Sequence, residues 1–404
     1  MQNNQKIPEG WSIVLLKSLS SNGIMNGIFN NPTKVGRGIP LINVVDLYND
    51  KIDFRNLSLL DVSEDELKRY EAILGDLLFT RSSLKLEGIA QCNIVPVLES
   101  KCVFDCHIMR IRPNDQLVVP YYLFAYCNTA MAKMQFMKLS KTTTMTTIDQ
   151  DGLGQLKVLL PPLAEQEKIA EIFGTWDEAI EKLTSLIEQK KLLKKGLMQK
   201  LLTGKVRLPG FTQPWKEVKL GNFCRTFSGG TPSVNNASFY DGNIPFIRSG
   251  EIHLTSTALF ISESGLTNSA AKLVEKGDIL FALYGATSGE VDISKINGAI
   301  NQAILCIKPL SLNKYFLKDI LEYKKQNILN KYLQGGQGNL SAEIIKSLKI
   351  YIPSDISEQQ AIANVLSTAD DEIDLLNKKL ILFKEQKKGL MQQLLTGNIR
   401  VKVK

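Results

Sequence analysis

Polar loops in the first half of this 404-residue chain carry side chains that can bind phosphate groups and the edges of nucleic-acid bases. Arginine and lysine suit guanine and phosphate, while asparagine and glutamine suit adenine. The candidate contacts of this half are Lys34, Arg37, Arg81, Ser82, Ser83, Lys85, Lys141 and Thr143. They predict that this half binds a nucleic acid.

The second half offers a matching set of polar loops. Its candidates are Arg225, Thr231, Arg248, Ser249, Tyr284, Thr287, Asn301, Gln302, Gln337 and Asn339. A single loop of this kind is more often an ordinary solvated loop, because loops are generally polar. Since such loops return at equivalent places in both halves, we favour their interpretation as nucleic-acid contacts.

Known catalytic motifs do not accompany these loops. The chain has neither a GxxxxGK[ST] phosphate loop nor the Asn/Asp-Pro-Pro-aromatic tetrapeptide of an amino-methyltransferase, and residues 227–231 lack the spacing of a glycine turn for S-adenosylmethionine. Two acid-x-Lys triplets, residues 188–190 and 385–387, lie in helical segments, where a solvated helix flank explains them better than a nuclease site. With only His107 and His253 for acid–base chemistry, we expect a non-catalytic binder without a cofactor of its own.

Cys102, Cys106 and His107 are close enough in sequence to suggest a metal site. The alternating pattern of residues 102–112 instead predicts a strand, and no second ligand cluster would complete a tetrahedral shell. The six cysteines form no CxxC pair and lie mostly among apolar residues. We therefore expect reduced, buried thiols and no metal.

The bulk composition is that of a folded protein, with 44% hydrophobic and 22% charged residues. The net charge of +8 weakly favours a polyanionic partner. The first residues lack the apolar core of a signal peptide, and the longest apolar run, residues 117–127, contains Pro120 and is too short to span a bilayer. We expect a cytoplasmic protein with no membrane partner.

The elements that would position the loops come from a tandem duplication. Residues 194–204 (KKGLMQKLLTG) return as residues 387–397 (KKGLMQQLLTG), and the segment before them matches without a gap at the same offset of 193. Upstream the similarity is weaker: IPLI at residues 39–42 matches IPFI at 244–247, and GDLLF at 75–79 matches GDILF at 277–281. Each half is therefore a domain that differs between the two copies, followed by a segment that is nearly the same in both.

Each kept segment has the periodicity of a long amphipathic helix, with apolar residues at spacings of four and three. The predicted seam positions are Ile169, Phe173, Trp176, Ile180, Leu183 and Ile187 in the first copy, and Ile362, Leu366, Ile373, Leu376, Leu380 and Phe383 in the second. Because a lone helix leaves such a stripe uncovered, we favour antiparallel packing of the two helices. The alternative is that each helix covers only its own domain. Ser357 and Gln360 have capping-box spacing at the start of the second helix.

The variable halves alternate short strands with turn residues and a few helices, one predicted over residues 120–134. We predict an α+β protein in which two mixed α/β domains are joined by two long helices packed as an antiparallel coiled coil, with an internal pseudo-twofold repeat. The predicted variable domains are residues 1–156 and 206–349. The helical segments are residues 157–205 and 350–404, and the prolines and glycines of residues 206–215 mark a linker.

In this order, the motifs resemble the specificity (S) subunits of type I restriction-modification systems. The resemblance is carried by PPLAEQEKIA at residues 161–170, its echo SEQQAIA at 357–363, the twin helix ends, LPGF…W at 208–215 and the twin GD[LI]LF strands. Together these motifs cover essentially the whole chain. One departure is KTTTMTT at residues 141–147, where the family often has a Gly-Gln turn such as that at residues 335–339.

The resemblance implies two target-recognition domains, each binding one half of a bipartite double-stranded DNA sequence, with the helices setting the spacer length. It implies that two methylation (M) subunits dock on the helices and bring S-adenosylmethionine. Restriction (R) subunits would join for DNA cleavage that uses ATP and Mg. All of these cofactors are therefore expected on the partner subunits. The implied biological role of the complex is phage defence.

Three other interpretations stay open. A specificity chain of a type II-like, fused restriction system would keep this fold and change the partners. A methyltransferase would bind S-adenosylmethionine when purified alone. A coiled-coil scaffold without a role on DNA would show no sequence preference.

Overall fold

A computed structural model of the chain describes residues 7–332 and 339–403. The chain forms two compact units, one of Met1–Lys182 with Leu380–Lys404 and the other of Leu183–Lys379. Each unit contains one variable domain and a part of both long helices. Each variable domain that was predicted from the sequence ends where a long helix begins. The boundaries between the compact units instead lie within the two long helices.

Unit 1 contains thirteen strands among its described residues. They are β1 (Ser12–Leu15), β2 (Ser20–Asn26), β3 (Val35–Ile42), β4 (Ser58–Leu60), β5 (Glu71–Ala72), β6 (Leu77–Thr80), β7 (Ser82–Ser83), β8 (Cys92–Ile94), β9 (Cys102–Phe104), β10 (Ile108–Pro113), β11 (Lys141–Thr142), β12 (Thr146–Thr147) and β13 (Lys157–Leu160). Two four-stranded sheets, in the orders β2-β10-β6-β8 and β4-β3-β9-β5, accompany the pair β1-β13 and the small sheet β11-β12-β7.

The helices of the first repeat are α1 (Glu64–Tyr70), α2 (Pro120–Cys127), α3 (Ala130–Leu139), α4 (Gln150–Gly154) and the long α5 (Leu163–Leu201). Short 3-10 turns lie at Leu16–Leu19, Pro32–Lys34, Val44–Tyr48, Phe54–Asn56 and Leu86–Gly88.

The second repeat has ten strands among its described residues. They are β14 (Trp215–Lys219), β15 (Cys224–Ser228), β16 (Ile244–Ile247), β17 (Phe260–Ile261), β18 (Lys272–Val274), β19 (Ile279–Ala282), β20 (Val291–Ile293), β21 (Gly298–Ile300), β22 (Ile304–Pro309) and β23 (Lys349–Pro353). Its helices are α6 (Glu263–Thr267), α7 (Lys314–Tyr332), α8 (Ala342–Ser347) and the long α9 (Ile356–Leu394), with 3-10 turns at Leu220–Asn222, Ala237–Phe239 and Ser249–Glu251.

The two four-stranded sheets and the strand pair of unit 1 recur in unit 2 with equivalent strand orders. Their orders are β15-β22-β19-β20 and β17-β16-β21-β18, beside the pair β14-β23. In both units the second of these sheets contains one parallel pair, β3 with β9 and β16 with β21, while its other pairings are antiparallel. The predicted tandem repeat of mixed α/β domains is thus confirmed.

The two long helices run antiparallel within each unit. In unit 1, Trp176 of α5 packs edge-on against Phe383 of α9, with ring centroids 5.5 Å apart, and Asp177 accepts from Lys387. In unit 2, Lys190 and Lys194 of α5 pair with Glu372 and Asp370 of α9, both at 2.6 Å. In unit 2 the α9 residue number falls from 372 to 370 as the α5 number rises from 190 to 194. In unit 1 it falls from Leu394, which is buried in the same core as Phe173, to Phe383 beside Trp176, as antiparallel packing requires.

The start of each long helix is also part of a domain core. Ile169 and Phe173 are buried together with Leu394 near the end of α9, and Ile362 and Leu366 are buried with Leu201 at the end of α5. Burial of each such side chain contributes about 1.5–3 kcal/mol. Both alternatives weighed from the sequence are therefore partly realised, since the same stripe covers a domain and pairs with the other helix.

Three local predictions are wrong. The strand predicted over residues 102–112 is interrupted, because Asp105 accepts the backbone N–H of His107 at 2.8 Å and turns the chain between β9 and β10. The helix predicted over residues 120–134 breaks after Cys127, and Thr129 caps a new helix by accepting the N–H of Ala132. Asp355, and not Ser357, caps α9 by accepting the N–H of Ser357.

Two further expectations concern cysteines and membranes. All six cysteines are free thiols, and five of them are buried, Cys106 being partly exposed. Among residues 7–332 and 339–403, no helix combines the length and apolar character needed to cross a membrane.

Candidate nucleic-acid interface

The parallel pair of unit 2 brings two predicted loops to one edge of its sheet. Strands β16 and β21 run in the same direction with Ile247 opposite Ile300, so both strands end at the same edge. The residues that follow directly, Arg248 and Asn301, therefore leave the sheet side by side. Ligand-contacting side chains commonly lie in loops placed in this way by a rigid sheet.

Neighbouring elements complete this edge, which we call the strand-end surface of unit 2. Thr231 donates to Gln302 at 2.6 Å. The N–H of Leu283 donates to the carbonyl of Ala303, and the N–H of Leu340 donates to the carbonyl of Leu283. The candidate residues Thr231, Tyr284, Asn301, Gln302 and Asn339, on or beside these bonded segments, thus lie near Arg248.

The adjoining loop after β19 comes close to the same surface. A Cβ on Gly285 would lie 4.0 Å from the hydroxyl of Ser249. Thr287 is in this loop, where its carbonyl accepts the N–H of Glu290. Gln337 lies outside the described residues.

Arg225 is not brought to this surface. It lies at the start of β15, opposite Lys308, whereas the surface is at the other end, where Ser228 faces Leu305. Arg225 and Ser228 are three residues apart along the strand, which corresponds to about 10 Å. Sequence reasoning grouped Arg225 with residues 226–231 because they are adjacent in the chain.

Unit 1 builds the equivalent strand-end surface from its own parallel pair. Ile42 lies opposite Phe104, so Asn43 and Asp105 follow at the same edge. The N–H of Arg81 donates to the carbonyl of His107, and the N–H of Ile148 donates to the carbonyl of Arg81. These bonds are the counterparts of those made by Leu283 in unit 2.

A small three-stranded sheet in unit 1 joins two predicted clusters that are far apart in sequence. In the order β11-β12-β7, Thr147 pairs with Ser82 on one side and with Lys141 on the other. Arg81, Lys85 and Thr143 are exposed beside this sheet. The Lys141 ammonium is 3.4 Å from the carboxylate of Asp149. Because both side chains are exposed to water, this ion pair is weak and leaves the lysine charge available.

Lys34 and Arg37 lie elsewhere, before and within the first part of β3. Each faces a carboxylate of its own domain: Lys34 is 3.4 Å from Glu66, and Arg37 is 3.1 Å from Asp61. Their roles in binding stay predictions, as do those of the other candidates.

The potential metal ligands of unit 1 are arranged differently from the triplet considered in the sequence. Asp105, Cys106 and His107 have ligand atoms within 4.8 Å of one another, and no other such trio occurs in the described part of the chain. Cys102 is instead buried in β9. Burial raises the pKa of the Cys106 thiol. The bond of 2.9 Å between His107 Nδ1 and Asp105 serves the turn described above.

The first turn of each long helix contains a buried glutamate, Glu165 in α5 and Glu358 in α9. That these two carboxylates are buried was not predicted from the sequence. Glu358 accepts two N–H groups of Arg207, at 2.8 and 2.7 Å, and the indole N–H of Trp215. The hydrogen bonds to Glu358 raise the pKa of Arg207. In unit 1, Glu165 accepts in the same way from Arg400 and Trp11. The repeated Glu-Gln motif is therefore part of the internal architecture.

The adjacent glutamines have an equally internal role. Gln166 accepts the N–H of Val119 and donates to the carbonyl of Pro161, and Gln359 accepts the N–H of Asn313 and donates to the carbonyl of Pro353. Each glutamine anchors the start of a domain helix to the start of a long helix.

Of the remaining seam positions, Leu183, Ile187 and Ile373 are buried. Those that are only half-buried are Trp176, Ile180, Leu376, Leu380 and Phe383.

Sequence reasoning missed Asn43 and Glu251 at the strand-end surfaces. In both units a carboxylate, Asp46 or Glu251, accepts the backbone N–H of the first residue after the strand, which lies three positions before it in the chain. This spacing matches that of a capping box and was present in the sequence as a signal.

Known proteins are similar to this chain in sequence and in fold. The sequence model of one protein family, the type I restriction modification DNA specificity domain, matches residues 8–190 and 212–383. The putative type I restriction enzyme MjaX specificity subunit of Methanocaldococcus jannaschii is 30% identical over 417 residues, covering 98% of this chain and 95% of its own. The MjaVIII specificity subunit of that organism is 26% identical over 76% of each chain. A crystal structure of a type I restriction-modification S subunit from M. genitalium has the same fold, with a TM-score of 0.60 at 16% identity over 98% of each chain.

Proposed function

Since this chain belongs to the family of type I restriction modification DNA specificity subunits, we propose that each unit binds one half of a bipartite DNA target through its strand-end surface. The observation that carries the proposal is that both units build this surface from equivalent strand ends and furnish it with different side chains. The two units have the same backbone arrangement at this surface but different side chains, which suits the recognition of two different short DNA sequences.

The side chains at the two surfaces fit DNA by their chemistry. Arg81, Lys85 and Lys141 supply exposed cations in unit 1, and Arg248 with Gln302 supplies a cation and an amide in unit 2. Cations hold the phosphates and guanine edges, while amides suit adenine. The two surfaces therefore differ in a way that favours different half-sites.

The long helices are the proposed docking sites for two methylation subunits, with restriction subunits joining in the full complex. Both helices carry large apolar side chains in solvent, among them Leu192, Leu375 and Leu382, which are 68%, 67% and 55% exposed. Exposed apolar residues in such numbers are typical of protein interaction surfaces. Because each helix continues from one unit into the other, we propose that the helices also set the spacer length of the target.

We propose that the chain itself is non-catalytic. S-adenosylmethionine would be bound by the methylation subunits, and ATP and Mg by the restriction subunits. The paired acid-x-Lys triplets lie in α5 and α9, and Lys190 and Lys387 of these triplets form ion pairs with the opposite helix. Their charges serve helix pairing, which supports a structural role over a nuclease site.

The test is methylation mapping in a host that expresses the chain with its methylation partner. We expect a bipartite modified motif, of which one half changes when residues 1–156 are exchanged for those of a relative. The matched control exchanges residues 206–349 and should change the other half. A continuous motif, or one that neither exchange alters, would refute the proposal.

A binding measurement separates the remaining interpretations. Calorimetry on the purified chain should show no binding of S-adenosylmethionine, and the complex with methylation subunits should bind it. Binding by the chain alone would favour a methyltransferase. DNA binding by the complex without sequence preference would favour a scaffold.

A further inference from the structure

The residue directly after the parallel strand has the same backbone environment in both units. The N–H of Asn43 donates to Asp46 at 2.8 Å, and the N–H of Arg248 donates to Glu251 at 3.1 Å. The φ and ψ angles are −98° and 167° at Asn43 and −100° and 162° at Arg248. The two residues therefore occupy one structural position at equivalent strand-end surfaces.

Their side chains are used in opposite ways. The amide of Asn43 donates to the carbonyl of Leu41 at 3.2 Å and to the hydroxyl of Ser58 at 2.7 Å, which uses both of its N–H groups inside the domain. The Arg248 side chain is 46% exposed, and its Nε and Nη2 donate to the two carboxylate oxygens of Glu251, each at 3.0 Å. Only unit 2 thus presents a cation at this position.

Glu251 is a fixed support for this arginine. Its side chain is 10% exposed, and it also accepts the N–H of Ala258 at 3.0 Å. The hydrogen bond from Arg248 is the main cause that lowers the pKa of Glu251, so the carboxylate stays charged at neutral pH. A two-point ion pair of this kind fixes the plane of the guanidinium.

The remaining donors of Arg248 are those that a guanine requires. A guanidinium bound through Nε and one hydrogen of Nη2 retains Nη1 and the second hydrogen of Nη2, which form a parallel pair of donors at its far end. Guanine offers the matching pair of acceptors, O6 and N7, in the major groove. An arginine held on one edge by a carboxylate is therefore prepared to bind guanine with the other.

We propose that Arg248 recognises a guanine in the half-site bound by unit 2 and that Glu251 is its positioning residue. The inference rests on the proposed function and adds to it one residue, one base and one half of the target. Asn43, at the equivalent position, makes no such contact in the half-site of unit 1.

The test compares the complex of the full chain and methylation subunits with its Arg248→Ala and Glu251→Gln variants on duplexes that carry the wild-type motif. Each guanine is replaced in turn by 7-deazaguanine, which lacks the N7 acceptor. In the wild type, one replacement in the unit 2 half-site should weaken binding, and Arg248→Ala should abolish that sensitivity. Discrimination between guanine and other bases at this position should fall roughly 5- to 150-fold.

The positioning role has its own readout. Glu251→Gln keeps the positive charge of Arg248, so the salt dependence of binding should stay unchanged while discrimination at the same base falls. Recognition of the unit 1 half-site should persist in both variants, and an unchanged unfolding transition of each variant reports that unit 2 is folded. Lys349→Ala, which removes an exposed cation of unit 2 away from the surface, is the control for loss of charge.

Two results would overturn the inference. If Arg248→Ala weakens binding to all sequences equally and lowers its salt dependence, the arginine contacts phosphate. If discrimination is unchanged, Arg248 does not contact the DNA. A wild type without a bipartite motif would instead show that the proposed function itself has failed.

Discussion

Arg400 and Glu165, which are 235 residues apart in the chain, form a two-point ion pair beside the indole of Trp11. Arg207 and Glu358 repeat this arrangement beside Trp215. In each unit, the segment that follows one long helix is thereby bound to the start of the other. The Glu-Gln motif that both copies of the duplicated chain contain is therefore a joint within the molecule.

We expect Glu358→Gln to destabilise unit 2 by about 2–4 kcal/mol, because the fully buried carboxylate is the partner of both the Arg207 guanidinium and the Trp215 indole. The measurement is the free energy of unfolding from chemical denaturation. Glu217→Gln, which removes the exposed partner of Lys349, is the matched control and should have a far smaller effect. Equal effects of the two substitutions would contradict a structural role of Glu358.

The repeat made half of this joint predictable. The offset of 193 residues pairs Glu165 with Glu358 and predicts that both do the same thing. The same offset pairs Arg207 with Arg400, but it does not predict that these arginines bind the glutamates, because such contacts join segments far apart in sequence. The long helices were predictable for the opposite reason, since their periodicity is local.

The strand-end surfaces show the same limit. The loops at residues 81–85 and 141–147 could be proposed separately from their residue types, but their union depends on the pairing of Thr147 with both Ser82 and Lys141. The interruption at Asp105 was not predictable from the alternation of apolar residues, because a side-chain bond to the backbone decides it.

The pairing of Asp177 with Lys387 predicts a charge-reversal result in the helices. The two side chains are 30% and 18% exposed, so we expect each single reversal, Asp177→Lys or Lys387→Asp, to cost about 1–3 kcal/mol of stability. The double variant should recover much of this loss, which a double-mutant cycle on the free energy of unfolding measures. The exposed pair Lys182–Glu178 on one face of α5 is the control. Purely additive costs at Asp177 and Lys387 would mean that the pair contributes nothing.

His253 predicts a pH dependence of stability in unit 2. The hydrogen bond to Asp292 raises the pKa of His253 above its ordinary value, Glu290 adds to this effect, and Lys295 opposes it. Because the folded state binds the proton more tightly, the stabilisation is complete below about pH 6.5 and is lost as the pH rises through the folded pKa. The thermal midpoint of the wild type should therefore exceed that of His253→Gln most at acidic pH.

The Asp292→Asn variant provides the control for this prediction, since it removes the group that contributes most to raising the histidine pKa. Glu290 remains in that background, so the effect of His253→Gln on the thermal midpoint should depend on pH much less than in the wild type. An effect that is constant from acidic to alkaline pH in the wild-type background would contradict the ion pair as its cause.

The exposed lysines of unit 1 predict how DNA binding depends on salt. Lys85 and Lys141 lie beside the small sheet on the strand-end surface, where long flexible cations suit phosphates better than base edges. In the complex with methylation subunits, we expect Lys85→Gln and Lys141→Gln each to weaken binding to cognate and unrelated duplexes by a similar factor. Each should also reduce the slope of log affinity against log salt by about 1.

Salt titrations of binding by fluorescence anisotropy measure this slope. Lys195→Gln, which removes an exposed cation of α5 from the other unit, is the matched control and should leave it unchanged. Loss of affinity for the cognate duplex alone would show that the lysine contacts a base. An unchanged slope in both lysine variants would remove this sheet from the DNA interface, because any neutralised phosphate must release its counterions.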